Sequence, residues 1–469
     1  MMIEQIYTKC LAQGAYYIRS KGEAAIIDPL REVSSYISKA KEDNVTIKYI
    51  FETHFHADFV SGHVTLAEKT GAEIVYGPNA NPNFKARIAV DEEIFNLGDI
   101  QIKVLHTPGH TMESTTYLLL DEKGKEHAIF TGDTLFIGDV GRPDLAQKFG
   151  ELTMEDLAGY SFDSLRNKIM TLPNDVIVYP AHGAGSACGK NMMKETFDSL
   201  GNQKKVNYAL RSDMTREEFI KEVTDGLLPP PNYFPLNVKM NKDGYESIDD
   251  VLKKGLKPLS ANEFEIIANK KEAIVLDVRE PQEFAKEHIP NSIFIGLDGG
   301  FAPWVGEIIV NTLQPIILIA PEGREEEAVT RLSRVGFDNT QGYLKGGLDA
   351  WKLANKKTDK VNSIGAVELA EKDLAKNSKI FDVRKKTEYQ AEHVENATNT
   401  PLSSLKDHSE LFSKEEPFYI HCASGYRSMI AASILKSKGL HNLVDVQGGF
   451  NAISKTSIPT TNYVCPSTL

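Results

Sequence analysis

The sequence has few cysteines, no excess of positive charge and no long apolar run. Its four cysteines are too few and too widely spaced for a disulfide framework, which indicates a reducing compartment. The formal net charge of -12 argues against nucleic acid or an anionic membrane surface as a partner. The sequence shows no apolar stretch with the length of a signal peptide or a membrane span, so we expect a soluble, cytoplasmic protein.

The 469 residues exceed what one hydrophobic core usually organises and predict about three domains. Short β-rich runs alternate with helical stretches in residues 1–202, and residues 203–258 are typical of a helical, proline-rich connector. Two strand–helix units follow at 259–356 and 363–463, and each predicts a small α/β domain with a parallel sheet. The expected fold class is therefore multidomain α/β.

An internal repeat relates the last two units. Each contains, in the same order, an apolar run ending in Asp-Val-Arg, a Glu-x4-His segment and a Gly-Gly turn. These landmarks lie at Ile274–Arg279, Glu283–His288 and Gly346–Trp351 in the first unit, and at Ile380–Arg384, Glu388–His393 and Gly448–Ala452 in the second. Three shared landmarks in one order predict two copies of one fold.

Histidines and acidic residues of the first domain cluster in turn-like positions. They stand in the segments Thr53-His54-Phe-His56-Ala-Asp58, Thr107-Pro-Gly-His110, Thr131-Gly-Asp133 and Pro180-Ala-His182. The first and last segments follow the predicted strands Ile47–Phe51 and Asp175–Tyr179, where open α/β folds place their sites. Imidazole and carboxylate are ligands that borderline divalent metals prefer. Successive side chains of an extended segment point to opposite sides, so the spacing of two residues predicts that His54, His56 and Asp58 share one side.

The ordered motifs THxHxD, HTPGH, TGD and PAH closely resemble the metallo-β-lactamase fold, an αββα sandwich with metal at one edge of its sheets. Most members of that family are two-zinc hydrolases that read THxHxDH, and the last histidine binds the second metal. Phe59 stands there in this chain and favours a single metal. His54, His110 and Asp133 would then supply the facial two-histidine, one-carboxylate set typical of ferrous iron.

This departure makes the domain similar to the persulfide dioxygenase branch of that family. The resemblance implies one Fe(II) per chain, and it implies that O2 oxidises a small-molecule thiol persulfide to sulfite. It also leaves His56, Asp58 and His182 as groups that surround the metal or remain from a second metal site.

Two loops of the first domain add to this resemblance. In similar enzymes an arginine after the TGD turn contacts the carboxylate of the thiol cosubstrate, and Arg142 is the candidate because a guanidinium fork matches a carboxylate. A salt bridge within the loop is the alternative. Cys188, in the small-residue loop Ala181–Lys190, is interpreted as a packing residue or as a sulfur-relay thiol.

The second repeat carries the loop Cys422-Ala-Ser-Gly-Tyr-Arg427 between a β-run and a helix. Backbone N–H groups and the helix N-terminus would point at the sulfur and stabilise a thiolate or a persulfide. The loop and the repeat landmarks resemble the rhodanese family of sulfurtransferases. Four residues separate Cys422 from Arg427, which favours sulfane-sulfur transfer over the related phosphatases, in which five do. The first repeat has Ala320 at this place, so we expect a structural or docking module.

Together these resemblances imply persulfide oxidation coupled to sulfur transfer at Cys422, with thiosulfate formed or used, in sulfide or persulfide detoxification. Tethering would raise the effective concentration of the shared intermediate. One alternative is a dizinc thioester hydrolase of the glyoxalase-II kind fused to a sulfurtransferase, and another is a non-catalytic persulfide sensor or carrier. The identity of the thiol and the direction of sulfur transfer stay open, and a homo-oligomer is expected.

Overall fold

A computed structural model describes residues 1–146, 152–227, 229–270, 272–372 and 378–465 of the chain. The chain divides into two compact units. The first unit comprises Met1–Asp250 and Leu332–Gly336, and the second comprises Val251–Arg331 and Phe337–Leu469. Most of the predicted connector, 203–258, therefore belongs to the first unit.

Two mixed six-stranded sheets form the first unit, in the orders β1-β2-β3-β4-β5-β6 and β12-β11-β10-β9-β8-β7. The strands are β1 Met2–Thr8, β2 Gln13–Ser20, β3 Glu23–Ile27, β4 Thr46–Glu52, β5 Glu73–Tyr76, β6 Arg87–Ile88, β7 Ile94–Leu97, β8 Ile100–His106, β9 Thr115–Leu120, β10 Glu126–Gly132, β11 Ile177–Pro180 and β12 Asp198–Ser199. The strands predicted at Ile47–Phe51 and Asp175–Tyr179 correspond to β4 and β11.

Both sheets of the first unit are buried on two faces, as strand β3 illustrates. Ala25 and Ile27 pack into a core that also contains Phe130 of the second sheet. Ala24 and Ile26, which alternate with them, pack with Tyr36 of a flanking helix. Strand β10 repeats the pattern on the other sheet, since Ile129 faces a second helical layer while Phe130 faces the first sheet. These layers give the expected αββα sandwich.

Helices flank the two sheets and continue into the predicted connector. They span Ser34–Glu42, His63–Thr70, Met154–Ser164, Leu200–Val206, Arg216–Thr224, Phe234–Asp243 and Ile248–Gly255. The helix Arg216–Thr224 begins with a capping box formed by Thr215 and Glu218. The proline-rich stretch ends where Pro235 occupies the first turn of the next helix, a position that needs no backbone N–H donor.

The second unit contains two parallel five-stranded sheets with one topology, β13-β17-β16-β14-β15 and β18-β22-β21-β19-β20. The strands are β13 Pro258–Leu259, β14 Ile274–Asp277, β15 Ile293–Phe294, β16 Ile316–Ile319, β17 Thr340–Leu344, β18 Asn362–Gly365, β19 Lys379–Asp382, β20 Thr398–Asn399, β21 Phe418–His421 and β22 Leu443–Gln447. The identical strand order confirms that the two repeats share one fold.

Short helices connect these parallel strands. In the first repeat they span Ala261–Lys270, Pro281–Lys286, Phe301–Ile308, Glu325–Ser333 and Gly347–Leu353, and in the second Ala366–Glu371, Lys386–Ala391, Tyr426–Ser437 and Gly449–Ile453. Within the described ranges, no helix combines the length and the apolar character needed to cross a lipid bilayer.

Candidate metal centre and cysteine loop

Three strand ends of the first unit deliver the predicted metal-binding residues. Strand β4 ends two residues before His54, strand β10 ends next to Asp133, and strand β11 ends two residues before His182. Strands β10 and β11 pair in parallel, so their carboxyl ends meet at one sheet edge. His110 joins them from the loop between β8 and β9.

His54, His110 and Asp133 converge on one point. The Asp133 Oδ2 atom lies 3.5 Å from His110 Nε2 and 3.9 Å from His54 Nε2. All three side chains are buried, and their ligand atoms lie within 4.8 Å of one another. Among the described residues none donates a hydrogen bond to Asp133 Oδ2. An acceptor left open between two imidazole nitrogens is a donor set that fits one divalent ion.

Hydrogen bonds orient the two histidines of this cluster. Thr53 Oγ1 donates to Asp28 Oδ2 at 2.8 Å, so it accepts the Nδ1–H of His54, 3.0 Å away. His110 Nδ1 donates to the backbone carbonyl of Arg142 at 2.8 Å. Both rings therefore turn the lone pair of Nε2 towards Asp133, as a metal-binding histidine requires.

The electrostatics of the cluster favour the forms that bind metals. Burial, together with the neighbouring His56, lowers the pKa of His54 well below its usual value, so its ring is neutral. Burial opposes ionisation of Asp133, but the adjacent His182 and His110 lower the pKa of this carboxyl well below its usual range. The cluster thus combines neutral imidazole with carboxylate.

His56 is turned away from this cluster. Its Nε2 atom lies 3.1 Å from Asp28 Oδ1 and 3.7 Å from Glu52 Oε2. The fully buried ring of Phe59 packs on the His56 ring at a centroid distance of 4.3 Å. The segment after β4 is a loop in which the His54 and His56 rings lie 4.2 Å apart, while His54, His56 and Asp58 belong to three different groups of potential ligands.

Asp58 and His182 form a second cluster, and Cys188 belongs to it. His182 lies between two carboxylates, with Nδ1 2.7 Å from Asp133 Oδ1 and Nε2 2.8 Å from Asp58 Oδ2. Burial lowers the pKa of His182, but these carboxylates outweigh it and raise the pKa well above its usual value. Burial, reinforced by the same carboxylates, raises the pKa of Cys188, so this residue is a neutral thiol.

Arg142 makes the salt bridge that was the alternative to a substrate contact. Its guanidinium donates to both carboxylate oxygens of Asp144, at 2.6 and 2.7 Å, and to the carbonyl of Ala187 at 3.1 Å. Binding of a substrate carboxylate by Arg142 remains a prediction, and it requires the fork to leave Asp144 or to share its donors.

Sequence reasoning missed Asn241, which lies in the helix Phe234–Asp243. Its amide donates to the carbonyls of His56 and Phe59, both at 2.8 Å, and its Oδ1 accepts the N–H of Ser61 at 2.8 Å. Asn241 is buried and clamps the backbone of the loop that carries the first metal motif. No motif marks Asn241 in the sequence, because it is a single asparagine far along the chain from the histidine motifs.

The Cys422 loop has the geometry expected of an anion-binding turn. Cys422 is buried directly after β21, and the N–H of Gly425 donates to its sulfur at 3.1 Å. The Gly-Gly turn packs against this loop, because a Cβ atom on Gly449 would lie 2.4 Å from the Cys422 carbonyl oxygen. Arg427 forms a two-pronged ion pair with Glu388, at 2.6 and 2.8 Å.

The first repeat carries alanine at the place of the thiol. Asp277 pairs with Ile319 just as Asp382 pairs with His421, so Ala320 occupies the place of Cys422. Arg324, in the loop that follows, forms ion pairs with Asp298 and Glu327.

Asp445, in β22 below the Cys422 loop, makes the second repeat sensitive to pH. It is fully buried and accepts a hydrogen bond from Ser428 at 2.6 Å, and burial raises its pKa to about 7. In the unfolded chain its pKa is about 4. Protonated Asp445 therefore stabilises the fold below about pH 4, and this contribution is lost as the pH rises towards 7.

Asp445→Asn removes this titration and keeps an oxygen for Ser428. We compare the unfolding free energy of Asp445→Asn with that of the parent protein. Between pH 5 and pH 8, the difference should change by roughly 2–3 kcal/mol in favour of Asp445→Asn. Denaturant unfolding at the two pH values measures it. A difference that does not change with pH would show that Asp445 does not titrate in this range.

Comparisons with known proteins identify two kinds of domain in the chain. The family model described as the metallo-beta-lactamase superfamily matches residues 9–182. The rhodanese-like domain model matches residues 260–354 and 366–456.

Curated relatives and a solved structure are also similar to the chain. A probable hydroxyacylglutathione hydrolase of Schizosaccharomyces pombe is 32% identical over 34% of the chain, which spans 59% of that relative's length. A hydroxyacylglutathione hydrolase of Pelagibacter ubique is 31% identical over 37% of the chain and 68% of its own length. The crystal structure of a metallo-beta-lactamase from Staphylococcus aureus is 32% identical, with a TM-score of 0.64 over 73% of the chain and 98% of that structure.

Proposed function

The chain belongs to the metallo-beta-lactamase superfamily and carries two rhodanese-like domains, and we propose that it is an iron-dependent persulfide dioxygenase with a sulfurtransferase at Cys422. It would oxidise a low-molecular-weight thiol persulfide with O2 and pass sulfane sulfur through Cys422. The role would be removal of sulfide and persulfide.

One observation carries the proposal: Phe59, whose buried ring packs on His56, stands where a second ion would need a histidine ligand. His54, His110 and Asp133 form one buried cluster. His56 faces Asp28, and both ring nitrogens of His182 face carboxylates. Two imidazoles and one carboxylate leave positions open for O2 and substrate, which is the arrangement of non-haem ferrous oxygenases.

His54, His110 and Asp133 would hold the iron, which supplies activation of dioxygen when bound. Thr53 and the Arg142 carbonyl hold the Nδ1–H of His54 and His110, so that each Nε2 keeps its lone pair. Burial of the cluster excludes water from the reacting atoms. The balanced reaction is RSSH + O2 + H2O → RSH + SO3²⁻ + 2 H⁺, in which the outer sulfur is oxidised and O2 is reduced.

Cys422 would carry the sulfane sulfur in the second activity. The Gly425 N–H and the start of the helix Tyr426–Ser437 stabilise negative charge on the sulfur atom. Sulfite would attack the outer sulfur of the Cys422 persulfide, giving thiosulfate and the Cys422 thiolate, and the reverse direction would load Cys422 from thiosulfate. Arg427 would guide either anion, although Glu388 neutralises part of its charge.

A dizinc thioester hydrolase is the second candidate, because the curated relatives reported above are named hydroxyacylglutathione hydrolases. Asp58, His182 and Cys188 form a second buried group that could hold an ion, but Phe59 occupies the place of the histidine that such an ion would need. The phenyl ring of Phe59 favours the single-iron proposal.

Metal analysis of anaerobically purified protein, combined with oxygen uptake on glutathione persulfide, separates the two candidates. We expect about one iron per chain, and uptake of one O2 for each sulfite or thiosulfate formed. Two zinc ions per chain, with hydrolysis of S-lactoylglutathione and no oxygen uptake, would replace the proposal with the hydrolase.

A further inference from the structure

The first rhodanese-like domain contacts the Cys422 loop of the second at Tyr426. Tyr426 lies between Gly425, whose N–H donates to the Cys422 sulfur, and Arg427, the last residue of the loop. Its hydroxyl donates to the carbonyl of Gly296 in the first domain at 2.7 Å. A residue of the loop around the sulfur is thus anchored in the neighbouring domain.

Residues 294–299 of the first domain form a surface that fits the Tyr426 ring, and we call this surface the seat of Tyr426. A Cβ atom on Gly299 would lie 2.4 Å from a carbon of this ring, so glycine leaves the space that the ring fills. The Phe294 ring completes the seat, with a centroid distance of 6.0 Å to Tyr426. The segment 294–299 therefore matches the shape of the tyrosine.

The loop of the first domain that lacks cysteine supports this seat. Arg324 follows Ala320 in that loop and donates to both carboxylate oxygens of Asp298, at 2.6 and 2.9 Å. Asp298 is the residue next to Gly299. The arginine of the cysteine-free loop is therefore committed to holding the segment that receives Tyr426, and its charge is compensated by a carboxylate.

We propose that the cysteine-free rhodanese-like domain positions the Cys422 loop, and that Tyr426 is the positioning residue that transmits this effect. Fixing Tyr426 to Gly296 and Gly299 fixes the adjacent Gly425 N–H relative to the sulfur. A loop held in this way stabilises the Cys422 thiolate without rearrangement. The inference rests on the proposed role of Cys422 as the sulfur carrier.

The test measures how fast iodoacetamide alkylates Cys422 in the full chain, quantified at this residue by mass spectrometry between pH 5 and pH 10. In Tyr426→Phe, which keeps the ring and loses the hydroxyl, we expect the rate at pH 7 to fall about fivefold, the equivalent of one typical hydrogen bond. Gly299→Ala, which pushes the ring out of its seat, should have the larger effect.

Gln282→Ala is the matched control, because it removes another hydrogen bond between the same two domains. Gln282 Oε1 accepts a hydrogen bond from Gln447 Nε2 at 3.1 Å, and Gln282 lies outside the segment 294–299 that receives Tyr426. This variant should leave the alkylation profile unchanged. Wild-type profiles in both Tyr426→Phe and Gly299→Ala, or an equal shift in Gln282→Ala, would overturn the proposal.

Alkylation requires neither persulfide nor iron, so the result does not depend on the proposed reaction. If sulfur transfer is absent but the Tyr426→Phe profile shifts, the positioning role stands and the proposed function fails. Where transfer from thiosulfate to cyanide is measurable, kcat should fall more than KM rises, because Tyr426 acts on the thiolate and not on substrate binding.

Discussion

His54→Ala is expected to abolish both iron binding and oxygen uptake. Loss of a partner that only orients a metal ligand usually costs roughly 10- to 100-fold in affinity, and loss of a direct ligand should cost more. Asp133 and His110 alone leave an incomplete facial set, and oxygen uptake should fall to background. Iron content after anaerobic gel filtration and an oxygen electrode measure the two effects.

His56→Asn is the control that separates one ion from two. Asparagine keeps a polar side chain beside Asp28, whose Oδ1 lies 3.1 Å from His56 Nε2. We expect His56→Asn to retain about one iron per chain and most of its oxygen uptake. If His56→Asn loses the metal as completely as His54→Ala does, then His56 is a ligand and the single-ion arrangement is wrong.

Cys422→Ser is expected to abolish sulfur transfer while oxygen uptake persists. A serine hydroxyl cannot form a persulfide, and its alkoxide is inaccessible at neutral pH, so transfer from thiosulfate to cyanide should fall to background. With persulfide and O2, the products should shift from thiosulfate towards sulfite. Ion chromatography of sulfite and thiosulfate, together with the oxygen electrode, measures both changes.

Cys465→Ser provides the matched control, since Cys465 is exposed near the end of the described chain. It should leave both activities unchanged. If the parent protein makes only sulfite from persulfide and O2, and Cys422→Ser makes the same, the two activities are not coupled. The persulfide dioxygenase proposal would survive that result.

The sequence predicted the elements that depend on local pattern. The apolar run Ile47–Phe51 and the repeated Asp-Val-Arg and Gly-Gly landmarks are short-range signals, and the corresponding strands and turns are observed. The convergence of His54, His110 and Asp133 was predicted by resemblance, because the motifs occur in the family's order. The matched family models confirm the fold classes of the domains.

The partners of individual side chains could not be predicted, because they depend on tertiary geometry. His56 and Asp58 are two residues apart, yet one faces Asp28 and the other His182. Cys188 was interpreted mainly as a packing residue, and the structure places it beside Asp58 and His182. Tyr426 is an ordinary loop residue in sequence, and its contact with Gly296 spans 130 residues.

The clamp formed by Asn241 has a consequence for how this domain can be cut out or recombined. All the metal motifs lie before residue 183. Their positions alone would suggest that residues 1–202 could be transferred to another protein as a complete domain. The three hydrogen bonds of Asn241 to the His56–Ser61 backbone make that piece incomplete. A piece that keeps these hydrogen bonds must include the helix Phe234–Asp243, and a shorter piece would carry the ligands without the residue that holds their loop.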